Sequence, residues 1–394
     1  MMKKTICFLC GLIAFAFARS QDIYTPVLQK VEQGSAALQV LKGQMHARQA
    51  ANHTGLTPAD PEVEFGYLWS HPASGGNRKD VSFTQQFDFP TAYAERARLA
   101  GENDRVAELD YRQQRQQILL QAKQLCVEMV YQNALHEIYL RQADWAKQTA
   151  QACKQMLDQG ESGLIEYNKA VLNQMEMENQ LKQTEVTRRQ LQASLSAFAG
   201  GQDIVLDATD YAGLSALPQD FDTWFSQAES VSPALQYLGA QVEVSRRQVK
   251  VTRAQSLPKL SVGYIGELVP SQKYNGVTVG MSIPLWENKG RMRQARAEVS
   301  TAQMAAQDAR VQYYTQLRSL YEQAVQLQKS IGDMEVSLNR NADASLLQRA
   351  YEEGEITLLT FLMENSYYLS ARTRLLETRR DLELILCSLL AWQL

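Results

Sequence analysis

The sequence predicts a mainly α protein with a small β part, in which very long helices alternate with two β-hairpins. Three observations predict it: where the prolines fall, an alternating apolar pattern confined to four short runs, and a duplication of the whole arrangement.

The prolines are Pro26, Pro58, Pro61, Pro72, Pro90, Pro218, Pro233, Pro258, Pro270 and Pro284. Residues 91–217 and 285–394 contain none, and both stretches are rich in the helix formers Ala, Gln, Glu, Leu and Arg. A helix from about Thr91 to Gln159 would run on the order of 100 Å at about 1.5 Å per residue, longer than any compact domain. Within it, Ile118, Ala122, Leu125 and Met129 form one stripe, and Val127, Tyr131, Ala134 and Ile138 form another on nearly the opposite flank. Two seams imply two neighbours, as in a wall of helices.

Taken in order, residues 1–20 read as an export signal. Lys3 and Lys4 precede an apolar run from Thr5 to Ala18 that is too short to span a bilayer. Cleavage is expected after Ser20, with Ala16-Phe17-Ala18 as a second site. Residues 21–60 are N-terminal helices, 61–90 the first β-hairpin, and 91–199 a long helical hairpin turning at 160–164. Residues 200–232 form a packed collar. Gly200-Gly201 can end one helix there in left-handed geometry, and Asp220 can cap a short helix. Ser232-Pro233 opens the helix of 233–257. Residues 258–286 are the second β-hairpin and 287–394 a second long helical hairpin, turning at 354–358.

The strand runs alternate cleanly. Val63, Phe65, Tyr67 and Trp69 share a face, as do Val81, Phe83 and Phe87, and Val277, Val279, Met281 and Ile283 oppose Gly276, Thr278, Gly280 and Ser282. Runs of about 9–11 residues match tilted strands crossing a bilayer, and Trp69 and Trp286 lie near strand ends where an interfacial aromatic girdle belongs. Four strands cannot close a membrane barrel, which needs about eight or more. Three copies sharing one barrel would give twelve.

The duplication is explicit. Pro61-Glu62-Val63-Glu64-Phe65-Gly66-Tyr67 matches Pro258-Lys259-Leu260-Ser261-Val262-Gly263-Tyr264. Gly160-Glu161-Ser162-Gly163-Leu164-Ile165-Glu166-Tyr167 matches Gly354-Glu355-Ile356-Thr357-Leu358-Leu359-Thr360-Phe361 at almost the same separation.

Other function classes are disfavoured. A net charge of -3 gives no basic excess for nucleic acid. His46, His53, His71 and His136 are scattered, no nucleophile motif or phosphate-binding glycine loop occurs, and Met175 and Met177 flank Glu176 on different helix faces. No enzyme activity, cofactor or metal site is expected. Cys126, Cys153 and Cys387, an odd number in helical sequence, do not describe a disulfide framework.

The segment order, the two Pro-x-apolar-x-apolar-Gly-Tyr hairpins, the strand end Ser282-Ile283-Pro284-Leu285-Trp286 and the two glycine turns together resemble the TolC-like outer-membrane efflux family, over about residue 22 to the C-terminus. The short chain is similar to the heavy-metal branch. The resemblance implies a homotrimer with a twelve-stranded barrel in outer-membrane lipid, an α-barrel in the periplasm and an equatorial collar. It also implies docking to a periplasmic adaptor (membrane fusion) protein and an inner-membrane pump of the RND type. Function is then the exit duct of a tripartite efflux system for small molecules or metal ions. A channel for a type I protein-secretion exporter, or a periplasmic coiled-coil adaptor, is the alternative. By resemblance, the adaptor meets the tip turns, here Gly160, Gly163 and Leu164, and Gly354, Thr357 and Leu358. The family's best-known member narrows its pore with an acidic ring six and nine residues beyond the second turn glycine. This chain departs from it, with Thr360 and Met363 there and Glu364 one residue late. Glu166, six residues after Gly160, is the alternative entrance carboxylate.

Overall fold

A computed structural model describes residues 23–71, 76–211, 217–284, 286, 288–341 and 344–394. The export signal lies outside the described residues. Two short helices, α1 (Thr25–Gly34) and α2 (Ala36–Asn52), precede the first hairpin, β1 (Glu62–Leu68) and β2 (Arg78–Phe87). Then come α3 (Pro90–Asp158) and α4 (Leu164–Phe198), with α5 (Phe221–Val231) in the collar and α6 (Pro233–Ala254) rising to β3 (Lys259–Val269) and β4 (Gln272–Ser282). Helices α7 (Asn288–Asn341), α8 (Ala344–Glu352) and α9 (Leu358–Leu389) complete the chain.

Helix α3 is continuous over 69 residues because nothing in it interrupts the backbone ladder, and Pro90 occupies its first turn, where no N–H is needed. Both of its stripes find neighbours. Ala122 and Met129 on one flank, and Val127, Tyr131, Ala134 and Ile138 on the other, are buried. Towards the sheet the helices run in the order α2, α3, α6, α7, and towards the far end in the order α4, α3, α9, α7. The result is a wall of helices two helical repeats wide.

The wall is fastened at its middle by the collar. Ile204 and Leu206 pack with Val127, Val130, Cys126 and Leu195 of α3 and α4. Asn133, buried in α3, donates to the carbonyls of Leu206 and Ala208 and accepts from Arg188 Nε at 2.7 Å. Asp220 caps α5 by accepting from the N–H groups of Asp222 and Thr223, and the hydrogen bond from the Thr223 hydroxyl, together with these N–H groups, holds its carboxyl below the usual range. The cap sets Phe221, Trp224 and Phe225 against Leu317, Ala324 and Ile331 of α7. Gly200 ends α4 at φ +70°, and a Cβ there would lie 2.2 Å from the Gly34 carbonyl oxygen, so α1 and α4 approach closer than any side chain permits. Cys126, Cys153 and Cys387 are all buried.

The four strands form one antiparallel sheet in the order β1-β2-β3-β4. Its central pairing joins segments about 180 residues apart, with Phe83 opposite Tyr264 and Gln85 opposite Val262. Residues directly opposite each other point to the same side. Val63, Phe83, Tyr264 and Val277 therefore form one apolar rung, and Phe87, Leu260 and Met281 another. The other side carries Glu62, Thr84, Gly263 and Thr278, then Glu64, Ser82, Ile265 and Gly276, and is polar except for Ile265 in these two rungs. In β1 and β4 the outer edges are unpaired.

Candidate functional site

Two surfaces at opposite ends of the wall carry the residues singled out by the sequence. The first is the apolar side of the sheet. Val63, Phe65, Val277, Val279 and Met281 are all exposed, Val279 at 79%. Among the described residues no helix or loop covers them, which would be costly for a sheet in water. Trp69 follows the outgoing strand β1 and Trp286 the returning strand β4, so the two indoles stand at opposite ends of the sheet, 81% and 86% exposed. At the outer end, Tyr67 stacks edge-on to Trp69 at 5.4 Å and accepts a hydrogen bond from Asn77 Nδ2 at 2.7 Å.

The second surface is the far tip, where both long hairpins turn. Gly160 and Gly354 adopt φ +76° and +77°, and in each turn the following residue donates back to the last helical turn, Glu161 N–H to Met156 and Glu355 N–H to Ala350, both at 2.8 Å. This is the helix stop that glycine alone adopts without strain. Gly163 and Thr357 hold matching positions as N-caps of α4 and α9. Thr357 fills that role with its hydroxyl, which accepts from Thr360 N–H at 3.2 Å. Gly163 has an ordinary φ of -86° and open space where a Cβ would lie, so the fold does not require glycine there.

The two repeats part at the next residue. Leu164 is 61% exposed, as is its neighbour Ile165 at 71%, whereas Leu358 is 6% exposed, packed with Ala150, Cys153 and Ala170. Of the two leucines named for the docking tip, Leu164 is therefore at the surface, and Leu358 packs in the core beside the second turn. The outward apolar side chain of that repeat is Leu359, which the motif match had already placed opposite Ile165. Around Leu358, α3 and α9 are clasped by Trp145 against Phe361, with ring centroids 4.3 Å apart, and by Asn365 Nδ2 donating to Gln142 Oε1 at 3.0 Å. The Tyr351 hydroxyl lies 3.9 Å from Cys153 Sγ. Burial pushes the Tyr351 phenol up to about 12, with Cys153 and the Glu166 carboxylate adding to the effect. Burial likewise raises the Cys153 thiol.

Glu166, on the first turn of α4, and Glu364, on the second turn of α9, are exposed carboxylates, and Glu166 accepts from Ser162 Oγ at 2.5 Å. Thr360 is committed to its helix cap, its hydroxyl 3.0 Å from that of Thr357. Among the described residues no three His, Cys, Asp or Glu side chains gather into a metal-binding group. No helix among them is long and apolar enough to cross a membrane.

Residues 224–391, which include the second repeat, match the family described as outer membrane efflux protein. No curated protein matches in sequence. Solved structures match throughout. The MtrE outer membrane channel of Neisseria gonorrhoeae in its open state aligns with a TM-score of 0.77 at 12% identity, covering 94% of this chain and 88% of that one. The CmeC outer membrane channel of Campylobacter jejuni gives 0.76 at 14%, covering 94% and 85%. The outer membrane protein VceC of Vibrio cholerae gives 0.75 at 14%, covering 93% and 95%.

Proposed function

We propose that this chain is a TolC-like outer-membrane efflux protein, a channel with its helical part in the periplasm, and that three copies of it form the exit duct of a tripartite efflux assembly; the family match over residues 224–391 and the shared fold support the reading. The observation that carries the trimer is the sheet: one apolar side left exposed, one polar side, and two unpaired edges. Pairing β4 of each copy with β1 of the next satisfies both edges, turns the apolar side to lipid and closes twelve strands around a polar lumen.

The helices support the same closure. At the edges of the wall towards the tip, α4 exposes Leu172, Met175 and Val186, and α7 exposes Val325 and Val336. A head-to-tail contact of α4 with the next copy's α7 buries both stripes and forms a ring. The duct then opens at the tip, where Leu164, Ile165 and Leu359 surround the turns and offer an apolar docking rim to a periplasmic adaptor. The adaptor in turn links the duct to an inner-membrane pump. Three Glu166 carboxylates at that mouth draw cationic cargo, because like charges around a narrow opening focus their field into it.

The test is mass and heat-modifiability in mild detergent. A trimer that migrates faster unheated than boiled supports the reading. A monodisperse monomer that stays soluble without detergent refutes it.

A further inference from the structure

The side of the sheet that carries the apolar rungs ends in two cations. Strand pairing sets Tyr67, Lys79, Leu268 and Lys273 in one rung, and residues directly opposite each other point to the same side. From that rung the alternation passes through Phe65, Val81 and Asn275 to Val63, Phe83, Tyr264 and Val277, so both lysines stand on the apolar side. Among the paired residues of that side they are the only charged ones, and they share the rung nearest the two hairpin turns. A cation at the same end of the polar side is treated differently: Arg78 Nε lies 2.8 Å from Asp80 Oδ1 and 3.1 Å from Glu267 Oε1, and the two acids neutralise it. Lys79 and Lys273 are exposed, and among the described residues neither is ion-paired. Lys79 Nζ stands 5.9 Å from the centroid of the Tyr67 ring. Together with Asn77, Leu268 and Pro270 the lysines line an open cavity of about 610 Å³. Two strand spacings, about 9–10 Å, separate their backbones, so ammoniums on four-carbon stems can close on one phosphate from both flanks of Leu268.

Their depth follows from the same register. The rung lies about 14 Å of strand from the middle one, which at a tilt of about 40° is about 10 Å along the normal, near the edge of an apolar band about 25 Å tall. Lysine stems at that depth snorkel outwards and carry the ammoniums to headgroup level. Since β2 runs on into α3 and α6 leads into β3, the hairpin turns lie at the end of the sheet away from the helices, which with periplasmic helices is the outer leaflet. We infer that Lys79 and Lys273 form a binding site for the phosphate of an anionic lipid of the outer leaflet, one site per copy, with Leu268 and the Tyr67 ring against the lipid's apolar part. The inference rests on the barrel reading, because it takes the apolar side of the sheet to face lipid. Charge complementarity and continuity with the apolar band name this partner: the cations of that side are confined to headgroup level, beside the interfacial Trp69, and no acid there neutralises them.

The test uses the detergent-purified protein titrated with lipid A, a diphosphorylated glycolipid, and read by native mass spectrometry as lipids bound per trimer. Dephosphorylated lipid A and inorganic phosphate serve as parallel probes. The site predicts that K79Q and K273Q each weaken lipid A binding about fivefold, that K79Q/K273Q weakens it about 25-fold, and that binding falls with added salt. K79R/K273R should keep it, and so should R78Q, which removes a cation at the same height from the other side of the sheet. Equal lipid A binding by K79Q/K273Q and the unaltered protein overturns the site. So does a loss in R78Q as large as in K79Q, which would make the effect one of net charge, or binding of the dephosphorylated lipid as tight as that of lipid A, or full displacement by equimolar inorganic phosphate. Trimer mass is recorded in the same spectra. Absence of a trimer in the unaltered protein strikes the barrel reading, whereas an intact trimer whose lipid binding ignores the lysine changes strikes the site alone.

Discussion

An arginine placed on the apolar side of the sheet should cost most at its middle and progressively less towards Trp286. The apolar side has five rungs, from Tyr67, Lys79 and Leu268 at the outer end to Phe87, Leu260 and Met281 at the inner end. Rungs two residues apart are about 6.8 Å apart along a strand, so five span about 27 Å. At a tilt of about 40° this is about 20 Å along the membrane normal. The middle rung is Val63, Phe83, Tyr264 and Val277, with Val279 one step inward. Val277→Arg should therefore cost about 2–4 kcal/mol per chain, and Ile283→Arg about 0–1 kcal/mol. At about 1.4 kcal/mol per factor of ten, the central change lowers the folding equilibrium of each chain by roughly 30- to 1,000-fold. Thr278→Arg, on the polar side, is the control. Gly280 would be a poor one, since a Cβ there would lie 2.5 Å from Ser261 Oγ. The assay is refolding from urea into lipid vesicles, with heat-modifiable trimer as the readout. Equal tolerance at positions 277 and 278, or a greater loss at 283 than at 277, would refute the assignment of faces.

Four further outcomes test the tip. Gly163→Phe should abolish efflux, measured as drug or metal resistance, while trimer yield stays unchanged, because the backbone at Gly163 is ordinary and the space is open; failed assembly would make the turn structural first. Leu358→Ala should lower stability by about 2–5 kcal/mol in urea unfolding through loss of core packing, whereas Leu164→Ala should leave stability nearly unchanged yet impair adaptor binding in a pull-down. Glu166→Gln should reduce cation preference in single-channel recordings, most at low ionic strength where the field is least screened, and unchanged selectivity at every salt concentration would remove it from the mouth. Cys153 should react with maleimide far more slowly than a free thiol near neutral pH, since it is buried and its thiol is held above the ordinary value; fast labelling of the intact trimer would mean that the clasp around Leu358 opens readily.

Much of this protein is legible in local sequence, because local chemistry decides it. The absence of proline from residues 91–217 predicts α3 and α4 as long helices, and alternation predicts the strands and which of their side chains share a face. Left-handed glycines predict the stops at Gly160, Gly200 and Gly354, since no other residue takes that conformation without strain. Other features depend on segments far apart in the chain. The register of β2 on β3 decides that both hairpins turn their apolar residues to the same side, and a slip of one residue would have divided them. Likewise, the duplication makes Leu164 and Leu358 look equivalent, because each follows an N-cap at the same distance from its turn glycine. Only the packing of α9 on α3, with Leu358 against Ala150 and Cys153, separates them, leaving one leucine to hold the turn and the other exposed at the rim.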